Sequence, residues 1–138
     1  MHRPVRLTLL TALLCGLLGG FPGATVAPAQ AQDGYGHTGA RDGVLRSGCH
    51  GYRYHWVIRP RTNDWLLETF LRDPDGKRLA SGMYDSDSEQ KRDHGHFRFC
   101  RYSTRPGRFS IHAKLTWYNG SAQRTVWLDP SHFRLHRP

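Results

Sequence analysis

Two histidines separated by one glycine are the first residues of this sequence that could do chemistry. His94 and His96 would point to the same side of an extended chain, where two imidazoles could ligate a transition metal. A metal site needs further ligands, which His55 or His112 could supply from other strands. The spacing matches no Cys/His zinc motif, and a solvated loop end explains the pair equally well. We therefore predict no metal and no cofactor, with His94 and His96 as the candidates if one is bound.

The cysteines indicate an oxidising compartment. Cys15 lies in an apolar N-terminal run, which leaves Cys49 and Cys100 as an even pair. Such a pair is normally oxidised in an exported protein, so we predict a disulfide between them; two free or metal-bound thiols are the alternative. Both cysteines are out of phase with the apolar positions of their strands. Because the cysteines do not take the apolar, core-facing positions, we predict a bond at the edge or end of the fold rather than in its centre.

Little else in the sequence points to catalysis. The chain has no Gly-x-Ser-x-Gly motif, no His-Glu-x-x-His motif and no glycine-rich phosphate loop. Glu68 could act as an acid or base beside His55 or His112, but a cross-strand surface pair is the commoner role for a mid-strand glutamate. We therefore expect that the protein is not an enzyme.

A sustained alternation between residues 106 and 128 predicts a central hairpin that would position the remaining candidates. Apolar residues take every second position from Phe109 to Trp117, and polar residues lie between them. A period of two is typical of a half-buried β-strand, and Asn119-Gly120 is a favoured hairpin turn. The return strand places Val126 and Leu128 on the buried face.

The outward face of this hairpin is the candidate binding face. Exposed aromatic side chains on a flat sheet are a common way for sandwich modules to bind sugar rings or partner proteins. Cover by a second sheet or by the last strand is the alternative. The residues that we assign to this face are His112, Lys114, Thr116, Tyr118 and Trp127.

The rest of the chain predicts more short strands and no helix. Alternation is visible at 52–58 and 97–102, with shorter apolar runs at 65–71, 77–83 and 133–135 and turn residues between them. About seven strands at this spacing predict an all-β antiparallel sandwich with one disulfide over residues 49–138. The longest loop is expected at Tyr84–Gly95.

Two segments precede the predicted sandwich. Residues 1–31 have a basic start, an apolar run and small residues at Ala29 and Ala31, which is typical of a signal peptide cleaved near Ala31. A lipoprotein signal has a small residue before its cysteine, whereas Leu14 precedes Cys15, so we do not expect a lipid anchor. Residues 32–48 are rich in glycine and poor in apolar side chains, and we expect a flexible leader there.

With these features the sequence resembles small exported immunoglobulin-like β-sandwich proteins, and it is similar to single-domain secreted proteins of high-GC Gram-positive bacteria. The resemblance covers residues 49–135. It is carried by the turn Asp73-Pro74-Asp75-Gly76-Lys77 and by the strand entry Pro106-Gly107-Arg108-Phe109-Ser110-Ile111-His112-Ala113. It implies an immunoglobulin-like architecture and a location outside the cytoplasm, and it implies no particular chemistry.

These expectations combine into a secreted or cell-wall-associated binding module. Its ligand would be a protein or a glycan, and the formal charge of +9 is also compatible with an anionic envelope polymer. We expect neither nucleic-acid binding, because the arginines are dispersed, nor stable membrane insertion, because the apolar run is short. The alternative function is a secreted inhibitor of extracellular proteases that presents the Tyr84–Gly95 loop or the Arg61–Asp64 turn.

Overall fold

A computed structural model describes residues 33–138 as a two-sheet β-sandwich. Its strands are β1 (Gly36–Ala40), β2 (Gly43–Val44), β3 (Cys49–Ile58), β4 (Trp65–Arg72), β5 (Arg78–Asp85), β6 (Arg92–Cys100), β7 (Gly107–Asn119), β8 (Ala122–Trp127) and β9 (Ser131–His136). Two single turns of 3-10 helix, Asp33–Tyr35 and Arg101–Ser103, complete the elements. The all-β prediction is confirmed. The predicted signal peptide and Cys15 lie outside the described residues.

One sheet is small and the other is built around β7. The three-stranded sheet has the order β1-β3-β6, and all its pairings are antiparallel. The six-stranded sheet has the order β2-β9-β7-β4-β5, and β8 also pairs with β7. β7 is 13 residues long, so β4 follows one of its edges while β9 and β8 share the other. The predicted β7–β8 hairpin is confirmed, with Gly120 in the left-handed region (φ 59°) at its turn.

The core lies between the two sheets and is rich in aromatic rings. The apolar series of β7 from Phe109 to Trp117 is buried, as the alternation predicts. It faces Tyr54, Trp56 and Phe97 of the three-stranded sheet, and the rings of Tyr54 and Phe97 stack with centroids 4.0 Å apart. Burial of such large apolar side chains is the main source of stability in a domain of this size.

A phenol group inside the core links the two sheets. The Tyr54 hydroxyl is 2.6 Å from the Thr69 hydroxyl on β4 and donates a hydrogen bond of 2.8 Å to the Tyr84 hydroxyl on β5. Burial raises the pKa of Tyr54 far above its ordinary value, and the Tyr84 hydrogen bond adds to the rise while the Thr69 hydrogen bond opposes it. The native state therefore keeps this group protonated at pH values where an exposed tyrosine ionises.

We expect Tyr54→Phe to reduce the loss of stability in alkali. Above about pH 10 the unfolded chain loses the Tyr54 proton and the native state does not, so this residue lowers the free energy of unfolding by about 1.4 kcal/mol per pH unit. Tyr54→Phe should remove that contribution while costing about 1 kcal/mol at neutral pH. Urea titrations across the alkaline range measure both effects. Tyr52→Phe, which removes a half-buried phenol hydroxyl from the same strand, is the comparison variant.

The disulfide prediction is confirmed, and its position agrees with the phase of the two cysteines. Cys49 and Cys100 are bonded and lie directly opposite each other in the β3–β6 register. Cys49 is exposed, so the bond crosses the outward side of one sheet instead of joining the two sheets through the core.

The prediction of a flexible leader over residues 32–48 is wrong from Gly36 onwards. Residues 36–40 form β1, which pairs with β3, and residues 43–44 form β2, which pairs in parallel with β9. Leu45 is fully buried, and the Thr38 hydroxyl is 2.7 Å from the Ser131 hydroxyl. The glycines permit close packing here, because a β-carbon at Gly36 would collide with the Val57 carbonyl oxygen. These two strands raise the count from the predicted seven to nine.

The predicted Tyr84–Gly95 loop is also wrong. β5 continues to Asp85 and β6 begins at Arg92, so only residues 86–91 connect them. The alternation of β6 is hidden in the sequence because its inward positions 93 and 95 are Asp and Gly. Gly95 is required there, since a side chain would collide with the Tyr84 hydroxyl.

Candidate binding surfaces

The five residues of the predicted binding face do lie on one side of the six-stranded sheet. His112, Lys114, Thr116 and Tyr118 take alternate positions of β7 opposite the buried series, and Trp127 pairs with Lys114 across the β7–β8 ladder. Their exposure is unequal. Thr116 is only 5% exposed, because its hydroxyl is 2.9 Å from the Thr125 hydroxyl and its neighbours enclose it.

Lys114 is engaged within the sheet. Its ammonium group forms an ion pair with Glu68, the residue opposite it on β4, and both side chains are largely buried. Glu68 is therefore the cross-strand partner of a lysine, the commoner of the two roles that the sequence suggested for it. The pair sits near the middle of the outward face, where each charge neutralises the other.

Two of the histidines on this side, His112 and His132, favour the neutral form. Partial burial, then the nearby Arg72 guanidinium and the His132 imidazole, lower the pKa of His112. Partial burial and Arg108 likewise lower the pKa of His132. Uncharged imidazoles make this part of the face less polar than its composition suggests.

The apolar centre of this surface was not predicted from the sequence. Trp127 packs against Phe70 of β4, with ring centroids 5.9 Å apart and planes inclined at 40°. The Arg78 guanidinium lies 4.4 Å from the centroid of the Phe70 ring, and Met83 on β5 is 67% exposed. We call Leu66, Phe70, Met83 and Trp127, together with Arg78, the aromatic face. In the sequence, this face is indicated by Leu66, Glu68 and Phe70, which take alternate outward positions of β4.

Tyr118 is not part of the aromatic face. It is half-buried at the end of β7 and pairs with Gln123, four positions along the strand from the pairing of Lys114 with Trp127. At the rise of an extended chain these two pairings are about 13 Å apart. The two aromatic residues predicted to act together are therefore separate.

The histidines of the three-stranded sheet lie side by side on neighbouring strands, an arrangement that the sequence alone did not predict. His94 lies opposite His55 on β3, and the His94 and His96 ring centroids are 6.1 Å apart. His112 is on the other sheet and cannot join them. Within residues 33–138, no three His, Cys, Asp or Glu side chains are placed to hold one metal ion.

The two segments considered for protease inhibition are short and held by the sheets. Arg92 is the first residue of β6 and pairs with Val57, so its backbone is not free to enter a protease cleft as an extended loop. The Arg61 guanidinium lies 5.8 Å from the Tyr35 ring centroid, and Tyr35 in turn stacks on Trp117.

The sequence matches no protein-family model and no curated protein. Among solved structures, it is similar to the CARDB domain of a Pyrococcus furiosus protein, crystallised in complex with di-metal ions, with a TM-score of 0.38 and 10% identity over 80% of this chain and 95% of that one. Within residues 33–138, neither helical turn has the length or the apolar character needed to cross a bilayer.

Proposed function

We propose that this chain is an exported, non-enzymatic interaction module that binds a protein partner through the aromatic face. The observation that carries the proposal is the exposure of Met83 on the same outward side of the six-stranded sheet as the Phe70–Trp127 pair. The three-stranded sheet packs against the opposite side, so this apolar centre remains open to solvent. The Cys49–Cys100 bond suits a protein that functions outside the cytoplasm.

The geometry favours a protein over a glycan. Sugar rings stack on flat, freely exposed aromatic planes, whereas Trp127 and Phe70 are inclined at 40° and the Phe70 ring already contacts Arg78. A flexible methionine and two aromatic rings on one sheet face, interspersed with charged groups, match the mixture of apolar and polar side chains at protein interfaces. The charged groups are Arg72 and Asp85 at the margins and the Glu68–Lys114 pair between Met83 and Trp127.

The state of the reactive groups supports a non-enzymatic role. The carboxylate of Glu68 is paired with Lys114, and the two cysteines are bonded to each other. The phenol of Tyr54 is buried and stays protonated. Each of these groups holds the fold together, and none of them presents a nucleophile or base to a substrate.

We expect Trp127→Ala to weaken partner binding by roughly thirtyfold or more, as for an aromatic hot spot. To identify the partner, a photo-crosslinking amino acid would replace Met83 in cells that export the protein. A discrete extracytoplasmic protein adduct should form, and its yield should fall sharply when Trp127→Ala is added. Binding of the purified pair then gives the fold-change.

The matched control places the same crosslinker at Tyr102, which is 88% exposed and lies outside the aromatic face. No adduct is expected there. Equal adducts at both positions, or an adduct at position 83 that Trp127→Ala leaves unchanged, would contradict the proposal. Retention of the protein in the cytoplasm would refute its exported character.

A further inference from the structure

The outward side of the three-stranded sheet gathers basic residues from all of its strands. β6 carries Arg92, His94, His96 and Arg98 at successive outward positions, β3 carries Arg53 and His55, and β1 carries His37. We call these seven side chains the histidine face. The register places His94 opposite His55 and His96 opposite Arg53, so the two rows run side by side. The His37 and His55 ring centroids are 6.3 Å apart.

Glycines leave room for the imidazoles. Gly39 pairs with His55, and a β-carbon at Gly39 would lie 2.7 Å from His55 Cε1. Gly51, opposite Arg98, also borders the His96 side chain, although a β-carbon there would make only ordinary contact with it. The basic groups therefore project from a flat surface with few obstructing side chains. Beside them, Arg41, Arg53, His55 and His94 line an open recess of about 380 Å³.

The negative groups near this surface lie at one end of it. Asp93 Oδ1 is 3.1 Å from His94 Nδ1 and accepts a hydrogen bond of 2.8 Å from the His94 backbone amide, and Glu89 lies in the connection between β5 and β6. The backbone amide of His94, and then its imidazole, lower the pKa of Asp93. The other outward positions of the three strands hold arginine, histidine, glycine, valine and the two bonded cysteines. The arginines give this surface a net positive charge at neutral pH, and histidine is the side-chain type whose charge ordinarily changes between about pH 5 and 8.

We infer that the histidine face binds an extended phosphate polymer, and that binding strengthens as the pH falls. The four basic residues of β6 form a straight row with about 6.7 Å between successive side chains, which suits a linear chain of repeated charges. Arginine recognises phosphate oxygens through paired hydrogen bonds. Phosphodiester groups and the internal groups of polyphosphate keep their negative charge throughout the pH range in which histidine ordinarily gains a proton.

The composition of the surface argues against two other anionic partners. The outward positions of β1, β3 and β6 carry no Phe, Tyr or Trp, the large rings on which successive bases stack. An anionic membrane is usually held by apolar or aromatic groups in addition to charge, and Val57 is the only large apolar residue among these positions. The inference is independent of the aromatic face, which lies on the opposite side of the sandwich.

The test measures the affinity of the purified, disulfide-bonded protein for end-labelled linear polyphosphate at about pH 7.5 and about pH 5.5 and at constant ionic strength. We expect binding at the lower pH to be tighter by about tenfold or more, because each additional contact charge releases a counterion. The variant His55→Gln, His94→Gln, His96→Gln should lose this gain and keep the affinity measured at the higher pH. Arg92→Gln with Arg98→Gln should weaken binding at both pH values.

Three controls separate this site from the alternatives. His112→Gln, His132→Gln, His136→Gln removes the same number of imidazoles from the other sheet and should keep the gain. Trp127→Ala should leave polyphosphate binding unchanged, so a failure of the proposed function would not be mistaken for a failure here. Circular dichroism confirms that each variant is folded.

Several results would overturn the inference. One is equal affinity at both pH values. Another is a gain in affinity at the lower pH that persists in the triple variant of His55, His94 and His96. The third is a loss of that gain in the triple variant of His112, His132 and His136. Loss of binding in EDTA would indicate a metal-bridged complex instead. Tighter binding to phosphatidylglycerol vesicles than to polyphosphate would identify a membrane surface as the ligand.

Discussion

Replacing both Cys49 and Cys100 with serine should lower the free energy of unfolding by roughly 4 kcal/mol, the chain-entropy value for a loop of this length. The bond joins residues separated by 51 positions, so it removes a large set of conformations from the unfolded chain. Cys49 is exposed, and serine at these outward positions leaves no cavity in the core. Because small domains have only about 5–15 kcal/mol of stability, the loss should be plain in a urea or thermal titration.

Reduction provides an independent measurement of the same quantity. The wild-type protein in reductant should unfold at the denaturant concentration of the double serine variant, and reductant should not affect the variant. Arg53→Ser with His96→Ser is the matched control, since these residues are also paired across β3 and β6 on the outward side. It should cost at most about 0.5 kcal/mol. A double cysteine variant as stable as this control would refute the prediction.

Trp56→Ala should destabilise the protein by about 3–5 kcal/mol, the range for deletion of a fully buried aromatic side chain. Trp56 has no exposed surface. Its indole packs against Tyr84 with centroids 4.1 Å apart, and Nε1 donates a hydrogen bond of 3.2 Å to the Gln90 carbonyl oxygen. The substitution removes contacts with both sheets, and it also removes one of the hydrogen bonds that hold the connection between β5 and β6.

Two further variants show which property of Trp56 matters. Trp56→Phe keeps most of the buried area and loses the hydrogen bond, so we expect a smaller loss of about 1–2 kcal/mol. Trp127→Ala makes the same change at a half-buried outward tryptophan, where truncation should cost less than at Trp56. If the alanine variants at positions 56 and 127 were equally destabilised, the assignment of Trp56 to the core would be wrong.

Strands whose inward residues are apolar could be predicted from the sequence alone. The alternation of β7 is local, and it specified the strand, its buried face and its hairpin partner. β1 could not be predicted in this way, because its glycines are required by contacts with residues of β3. Gly36 and Gly39 admit the Val57 carbonyl and the His55 ring, and these neighbours become visible only when the strands are paired.

The candidate surfaces were partly predictable for the same reason. Trp127 could be assigned to the outward side from its position in the hairpin. Phe70 and Met83 could not be placed beside it, because the register between β4, β5 and β7 is set by contacts distant in sequence. His94 and His96 were recognised as a pair, but their association with His55 and His37 depends on the order of three strands.

The cross-strand disulfide also determines how the protein responds to mechanical force. Suppose that force is applied to the chain at one point before Cys49 and at another after Cys100. Tension then passes from Cys49 to Cys100 through the bond, and the residues between them carry none of it. The sequence separation of 51 corresponds to roughly 170 Å of extended chain that cannot be drawn out while the bond is intact. β4, β5 and most of β3 and β6 lie within this closed segment. An oxidised molecule under load would therefore lengthen far less than a reduced one, and the ends of these strands would remain tethered close together for rapid refolding.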